Sequence, residues 1–191
     1  MSHIQLFSDK FTQEECDELI DLFEKDPRKI EGVTNDGLND KHKKSTDLPL
    51  VFSPDENQYS KIIIPKLFSA ISAYKKGFPF LNEQEWDVCP FYNIQKYEEG
   101  EGYFKLHCEH ESLAPYRMLA WMIYLNNNPC GTEFPEQDLV LKSFRGDIVV
   151  WPAFWTHPHK GVTPNIGIKY IVTGWCEYID KSNIIDYNTS K

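Results

Sequence analysis

A change of pattern at residue 86 constrains the fold of this chain more than any other feature. From there to residue 178 the sequence breaks into short β-like runs: "WDVCPFYNIQKY", "GYFKLH", "RMLAWMIYLN", "DLVLKSF", "DIVVWP" and "IKYIVTGWCEY". Turn signals separate them: "EEGEG", "NNNPCGT", "FRGD" and "VTPNIG". Many short strands at close spacing must bury their faces against one another, which points to a sandwich or a barrel.

The segment before residue 86 reads differently. "FTQEECDELIDLFEKD" opens with Thr12 and has Glu15 three residues later, a capping box, and Leu19, Ile20 and Phe23 follow at helical spacing. Residues 32–50 are polar and punctuated by Gly and Asn, so a long loop with little regular structure is expected. Ser53, Pro54 and Glu56 occupy N-cap, N1 and N3 positions of a second helix reaching about Lys76, bent or broken near Pro65. Two helices are thus expected to precede all of the strands. The expected organisation is one domain over 1–191, with 1–85 as helical support and loop and 86–178 as the β core. The closing "DKSNIIDYNTSK" reads as a partly loose tail.

Composition bounds the function. The net charge of −9 gives no basic surface for nucleic acid or anionic membrane, so neither is expected as a partner. The apolar runs are far shorter than a membrane span. Five cysteines, odd in number and without a CxxC, read as reduced thiols. "MSHIQLFSDK" has no basic stretch leading into an apolar run, so no secretory signal is expected and the cytoplasm is the expected compartment.

Four of the six histidines fall in two clusters, "LHCEHE" and "WTHPHKG". On a strand, residues i and i+2 share a face, so His107 and Glu109 converge while Cys108 points away. His110 then lies on the opposite face, toward solvent or the loop 110–116. A further histidine, His157 or His159, follows about 50 residues on. Those two would share a strand face as well, and spacing within the sequence does not separate them. Two histidines and one carboxylate on one face of a metal form the facial triad of non-heme iron(II) oxygenases. Lys169 sits amid apolar residues in "GIKYIVTGW", and lysine is almost never fully buried without a partner.

In order and spacing, residues 91–178 resemble the 2-oxoglutarate/Fe(II)-dependent dioxygenases, in particular the prolyl 4-hydroxylase-like branch. The resemblance rests on "YEEGEGYFKLHCEH", "RMLAWMIYLNNNPCGTEF" and "FRGDIVVWPAFWTHPHKGVTPNIGIKYIVTGW". It implies an α+β, mainly β fold: a double-stranded β-helix (jelly-roll, cupin-like) core with the N-terminal helices packed on one sheet. The string "WTHPHKG…KYIVTGW" is similar to a branch common in bacteriophage and marine microbial genomes, for which the compartment would be the host cytoplasm.

The resemblance also assigns roles. His107 and Glu109 match the iron histidine and carboxylate; most relatives have Asp, and Glu, one methylene longer, must reach iron through a different rotamer. The basic residue of the family lies about ten positions after the second iron histidine, and Lys169 is ten after His159 and twelve after His157. This selects His159 as the third ligand and leaves His157 nearby as a support or substrate contact. Lys169 would take the distal carboxylate of 2-oxoglutarate, aided by Tyr97, Tyr124 and Thr173. Arg117 and Trp175 match positions near the substrate. Tyr92, Trp121 and Trp151 are read as packing residues. In "CGTEF", Cys130 stands where the family has a Gly that usually serves a tight turn.

The implied cofactors are Fe(II), 2-oxoglutarate and O2, with ascorbate in support. The implied reaction hydroxylates an unactivated C–H bond, first of all in a prolyl residue of a peptide or protein. A free amino acid or other small molecule is the alternative substrate. A zinc hydrolase using the same triad, or a non-catalytic barrel that binds a ligand, are the readings from other classes. Lys169 with Tyr97 and Tyr124 discriminates, because a hydrolase has no need of a dicarboxylate pocket. Loops 32–50 and 110–116 are expected to flank the entrance, and the oligomeric state is not legible.

Overall fold

The computed structural model describes residues 3–34, 37–53 and 58–179. In chain order the elements are β1 (Gln5–Phe7), α1 (Gln13–Lys25), β2 (Ile30–Glu31), β3 (Lys43–Lys44), β4 (Thr46–Val51), α2 (Gln58–Gly77), β5 (Trp86–Tyr97), β6 (Gly102–Tyr103), β7 (Arg117–Tyr124), β8 (Asn128–Phe134), β9 (Leu139–Ser143), β10 (Ile148–Pro152), β11 (Lys160–Gly161) and β12 (Lys169–Tyr178). A seven-stranded sheet runs β1-β10-β7-β12-β5-β4-β2. A three-stranded sheet, β11-β8-β9, and a two-stranded sheet, β3-β6, complete the β framework. All the strand pairs are antiparallel. His107 and His159 join the smaller sheets by one antiparallel bridge, with N–H to O distances of 3.0 and 2.8 Å in the two directions. This is the expected mainly-β double-stranded β-helix with helices on one sheet.

The pleat of the large sheet divides the chain into two cores. Leu48 and Leu50 of β4, Tyr92 and Ile94 of β5, Leu119, Trp121 and Ile123 of β7, and Val172 and Cys176 of β12 face the helices. They meet Cys16, Leu19 and Phe23 of α1 and Ile63, Leu67, Ile71 and Tyr74 of α2. The alternate residues, among them Ala120, Tyr124, Val149, Trp151 and Ile171, face the barrel interior. Strand period 2 meets helix period 3.6 along one buried seam. The capping box forms as read: Thr12 Oγ1 accepts from Glu15 N–H, and the Glu15 carboxylate accepts from Thr12 N–H. Gly174 lets Trp121 lie against β12, since a Cβ there would stand 2.3 Å from the indole.

Several expectations need correction. The helices do not precede every strand: β1 forms the sheet edge beside β10, and β2 to β4 lie between α1 and α2. Residues 32–50 are not an irregular loop, because β4 pairs with β5 from Thr46 to Val51. The segment looks polar because Asp47 faces a polar cavity, while Leu48 and Leu50 face the helices. Within "NNNPCGT", residues from Asn128 belong to β8 rather than to a turn; the Asn128 side chain accepts from Cys130 N–H and donates to the Ile166 carbonyl. In "GYFKLH" only Gly102 and Tyr103 are strand. Helix α2 runs through Pro65 as one element. The Pro54 and Glu56 signals and the tail from residue 180 lie outside the described residues.

Candidate active site

His107 reaches its position through the bridge to His159, not through a continuing strand. The chain then turns, and the N–H groups of Glu109 and His110 both donate to the Ala153 carbonyl at the end of β10, at 3.0 and 2.9 Å. His107 and Glu109 still converge as the i, i+2 argument expected, but local hydrogen bonds rather than a pleat place them. Ligand atoms of His107, Glu109 and His159 all lie within 4.8 Å of one another. Glu109 Oε1 is 3.5 Å from His107 Nε2 and 3.3 Å from His159 Nε2.

The surroundings set the protonation of this cluster. His107 Nδ1 lies 2.9 Å from the Lys105 carbonyl and His159 Nδ1 lies 3.1 Å from the His157 carbonyl. Each Nδ1 therefore carries a proton and each Nε2 faces the cluster: protonated, it donates to Glu109, and deprotonated it presents the lone pair with which imidazole binds metal. Burial pushes the His159 pKa down, against the pull of Glu109. Burial alone would raise the Glu109 carboxyl, but the hydrogen bonds from His107 and His159 outweigh it and hold it well below the usual range. Trp175 Nε1 donates to Glu109 Oε2 at 2.8 Å, and Arg117 Nη1 donates to it at 3.3 Å. The Arg117 guanidinium stacks 3.6 Å from the Trp175 ring centre. One carboxylate oxygen is thus held from behind while the other faces the two imidazoles. Two neutral nitrogens and one carboxylate oxygen, fixed on one side only, fit an iron(II) ion with open positions.

The rest of the predicted residues distribute around a cavity of about 260 Å³. Tyr97, Lys169, Thr173, Arg117 and Trp175 line it beside the three ligands. Lys169 is 3% exposed. Its ammonium donates to the carbonyls of Gly131 and Val162, at 3.3 and 3.0 Å, and sits 5.1 Å from the Tyr97 ring centre. Among the described residues no carboxylate pairs with it. Burial pushes its pKa down to about 8. Tyr124 is fully buried behind the lining, with its hydroxyl 2.8 Å from Thr132 Oγ1. Thr173 Oγ1 donates to the Trp121 carbonyl at 3.3 Å.

Two histidines are set apart. The His157 ring does not line the cavity; it stands 2.9 Å from Thr156 Oγ1 and edge-on to His3, and supports His159 through its carbonyl. His110 does not point to solvent. Its ring packs 4.8 Å from Phe154, with Nδ1 3.1 Å from the Arg117 carbonyl. Tyr92 and Trp121 are packing residues, and Trp151 packs against His159 with ring centres 5.0 Å apart.

Sequence reasoning missed part of the wall. Thr132, inside the quoted "CGTEF", lines the cavity and joins Tyr124. Tyr103 stacks on His107 with ring centres 3.8 Å apart. From the supposed loop, buried Lys43 pairs with Asp47 at 2.5 Å. Asp47 also accepts from Ser45 Oγ at 2.7 Å and Gln95 Nε2 at 3.2 Å, and Gln95 Oε1 accepts from Tyr97 at 2.8 Å. No signal in the sequence marked this network.

An iron-type triad and an uncompensated buried ammonium share one cavity of a double-stranded β-helix. That combination fits a non-heme iron oxygenase. Residues 92–177 match the family described as the 2OG-Fe(II) oxygenase superfamily. The match spans the β core that carries the triad, and that core is similar to the 2-oxoglutarate- and Fe(II)-dependent dioxygenases, a class that uses Fe(II), 2-oxoglutarate and O2. No curated protein sequence matches significantly. In fold the chain stands with prolyl hydroxylases. It is similar to the viral collagen prolyl hydroxylase of Paramecium Bursaria Chlorella virus-1, solved as a 2OG complex: 18% identity, 93% of this chain and 97% of that one, TM-score 0.69. A Pseudomonas putida prolyl-4-hydroxylase shares 13% identity over 92% of each chain, TM-score 0.71. The Trichoplax adhaerens prolyl hydroxylase, in complex with a hypoxia inducible factor oxygen degradation domain peptide fragment, shares 15% identity over 94% of this chain and 84% of that one, TM-score 0.70. Among the described residues no helix is long and apolar enough to cross a membrane.

Proposed function

We propose that this chain hydroxylates a prolyl residue of a peptide or protein, with His107, Glu109 and His159 holding Fe(II) and Lys169 anchoring 2-oxoglutarate. The observation that carries the reading is Lys169. A buried ammonium without a counter-charge is costly, and a dicarboxylate whose far end reaches it removes that cost while its keto-acid end reaches the triad. A zinc hydrolase would leave this ammonium unexplained.

Bound iron supplies the activation of O2 that converts 2-oxoglutarate and a C–H bond to succinate, CO2 and a C–OH group. The chain's own residues do the rest. The Lys105 and His157 carbonyls fix the imidazole tautomers. Arg117 and Trp175 turn the Glu109 carboxylate so that one oxygen faces the metal. Thr132, steadied by Tyr124, and Tyr97 offer hydroxyls beside Lys169 for the cosubstrate. Phe134 and Trp151 close the side behind His159 and keep water from it. The likeness to a collagen prolyl hydroxylase and to a peptide-bound prolyl hydroxylase supports the choice of substrate.

The test is anaerobic absorption spectroscopy of the apoprotein titrated with Fe(II) and then 2-oxoglutarate. A visible metal-to-ligand charge-transfer band is expected, with its half-saturation moved to much higher 2-oxoglutarate in Lys169→Ala. Succinate release that depends on a proline-containing peptide completes it. Iron binding without the band would favour the hydrolase reading.

A further inference from the structure

The inner face of the large sheet is an ordered ladder. Tyr97 opposes Lys169 at its deep end. The next rung is Asp47, Gln95, Ile171 and Tyr124, and the one after it is Pro49, Asn93, Thr173 and Met122. Val51 and Phe91 pair at the outer end, 46% and 61% exposed. Rungs lie about 6.6 Å apart along a strand. Asn93 is therefore two rungs, about 13 Å, from Tyr97, farther along the strand than a five-carbon diacid anchored on Lys169 extends.

Hydrogen bonding separates these rungs. Asp47 and Gln95 are saturated by each other, Lys43, Ser45 and Tyr97. The Asn93 carboxamide lines the cavity, is partly exposed to it and makes no side-chain hydrogen bond among the described residues. Between the saturated rung and the exposed apolar lip, one neutral polar group is left open. The charged groups of the wall are engaged: Lys43 with Asp47, Arg117 with Glu109, and Glu109 with both imidazoles. Glu111 has interactions of its own. Lys169 alone lacks a carboxylate, and on the reading above the cosubstrate takes it. A zwitterionic amino acid would have to bury an ammonium and a carboxylate with no open counter-charge for either. A main chain inside a peptide is neutral and asks only for hydrogen bonds.

We infer that Asn93 is a specificity residue. Its Nδ2 donates to a main-chain carbonyl of the peptide segment that presents the target residue to the metal, and the surrounding wall excludes free amino acids. A prolyl residue within a chain has no N–H, so its neighbourhood offers carbonyl acceptors and needs a donor. Pro49 and Trp175 give that residue apolar flanks, and Phe91 and Val51 carry the adjoining chain outward. The inference rests on the 2-oxoglutarate oxygenase reading of the cavity.

The test is equilibrium titration of the anaerobic Fe(II)/2-oxoglutarate complex, read from the charge-transfer band. The probes are an acetyl- and amide-capped tripeptide with central proline and, in parallel, free proline. Wild type is expected to bind the capped peptide and not free proline. Asn93→Ala should weaken the peptide about fivefold, the loss of one neutral hydrogen bond, without altering the band or its half-saturation by 2-oxoglutarate. Asn93→Asp, isosteric but without the donor, should weaken it at least as much. If both variants bind the capped peptide as wild type does, the assignment of Asn93 is overturned and the oxygenase reading stands. If wild type binds only free proline, or neither probe, the inference falls together with the peptide substrate. Absence of the band in wild type would instead sink the oxygenase reading on which both depend.

Discussion

The two faces of β12 are built from alternate residues of one strand yet do opposite work. Tyr170, Val172 and Cys176 lie under the helices, in an apolar layer that asks only for volume and shape. Lys169, Thr173 and Trp175 face the cavity, where each side chain has a polar duty. Substitutions on the first face should change stability and leave chemistry intact; those on the second should change chemistry, with stability following only where a buried charge is removed.

The sharpest break of this contrast is at the triad. His159→Ala should abolish Fe(II)-dependent turnover, measured as succinate release, while the circular-dichroism melting curve keeps its cooperativity. On the helix side, Phe23→Ala should destabilise the fold by about 3–5 kcal/mol, read by urea denaturation. Turnover per folded molecule should be unchanged; a lost activity at full folding would mean the two faces are coupled.

Next in size is Trp175→Phe, which removes the donor to Glu109 Oε2 but keeps the ring under Arg117. Iron affinity should fall about 10- to 100-fold, the usual loss when a ligand's hydrogen-bonding partner is removed, checked by Fe(II) titration. Lys169 gives a pH signature. Its folded pKa of about 8 lies below the ordinary 10.5, so the unfolded chain binds the extra proton between those values. Stability of the apoprotein should therefore rise from pH 8 to 10.5, by on the order of 3 kcal/mol relative to Lys169→Met. Over the same window the ammonium is lost and 2-oxoglutarate binding should weaken about tenfold per pH unit, seen as a rising half-saturation of the charge-transfer band. The smallest effect is expected at His157→Ala. That side chain lies outside the cavity and its carbonyl, not its ring, supports His159, so most of the activity should survive. Loss as complete as in His159→Ala would mean the wrong histidine is assigned to the metal.

The same two faces explain what the sequence could and could not disclose. The helix-facing alternation of β5, β7 and β12 is strongly periodic, and those strands were legible with nearly correct bounds. That His107, Glu109, His159 and Lys169 would gather in one place was legible too, from a spacing that resembles a family pattern. β4 was not legible, since a strand that turns Asp47 to a polar cavity and carries Pro49 reads as a loop. Asn93 and Gln95 sit inside a correctly read strand, but their difference is one of side-chain hydrogen bonding: among the described residues the Gln95 carboxamide has two partners and that of Asn93 none. "YNIQKY" holds only one of the two partners of Gln95, Tyr97; the other, Asp47, lies 48 residues away in the sequence.

Position 131 carries a consequence for how such a chain can vary. A Cβ on Gly131 would fall 1.8 Å from the Leu141 carbonyl oxygen of the neighbouring strand, and the Gly131 carbonyl receives the Lys169 ammonium. Residue 130 is buried in β8, with its Sγ on Asn165, and makes no tight turn. A side chain is therefore accommodated at the first site of the "CGTEF" pair and excluded at the second. A methyl group at 131 would lever β8 off β9 and move an acceptor of the ammonium with it. A lineage could lose its cosubstrate there without ever changing a residue that touches it.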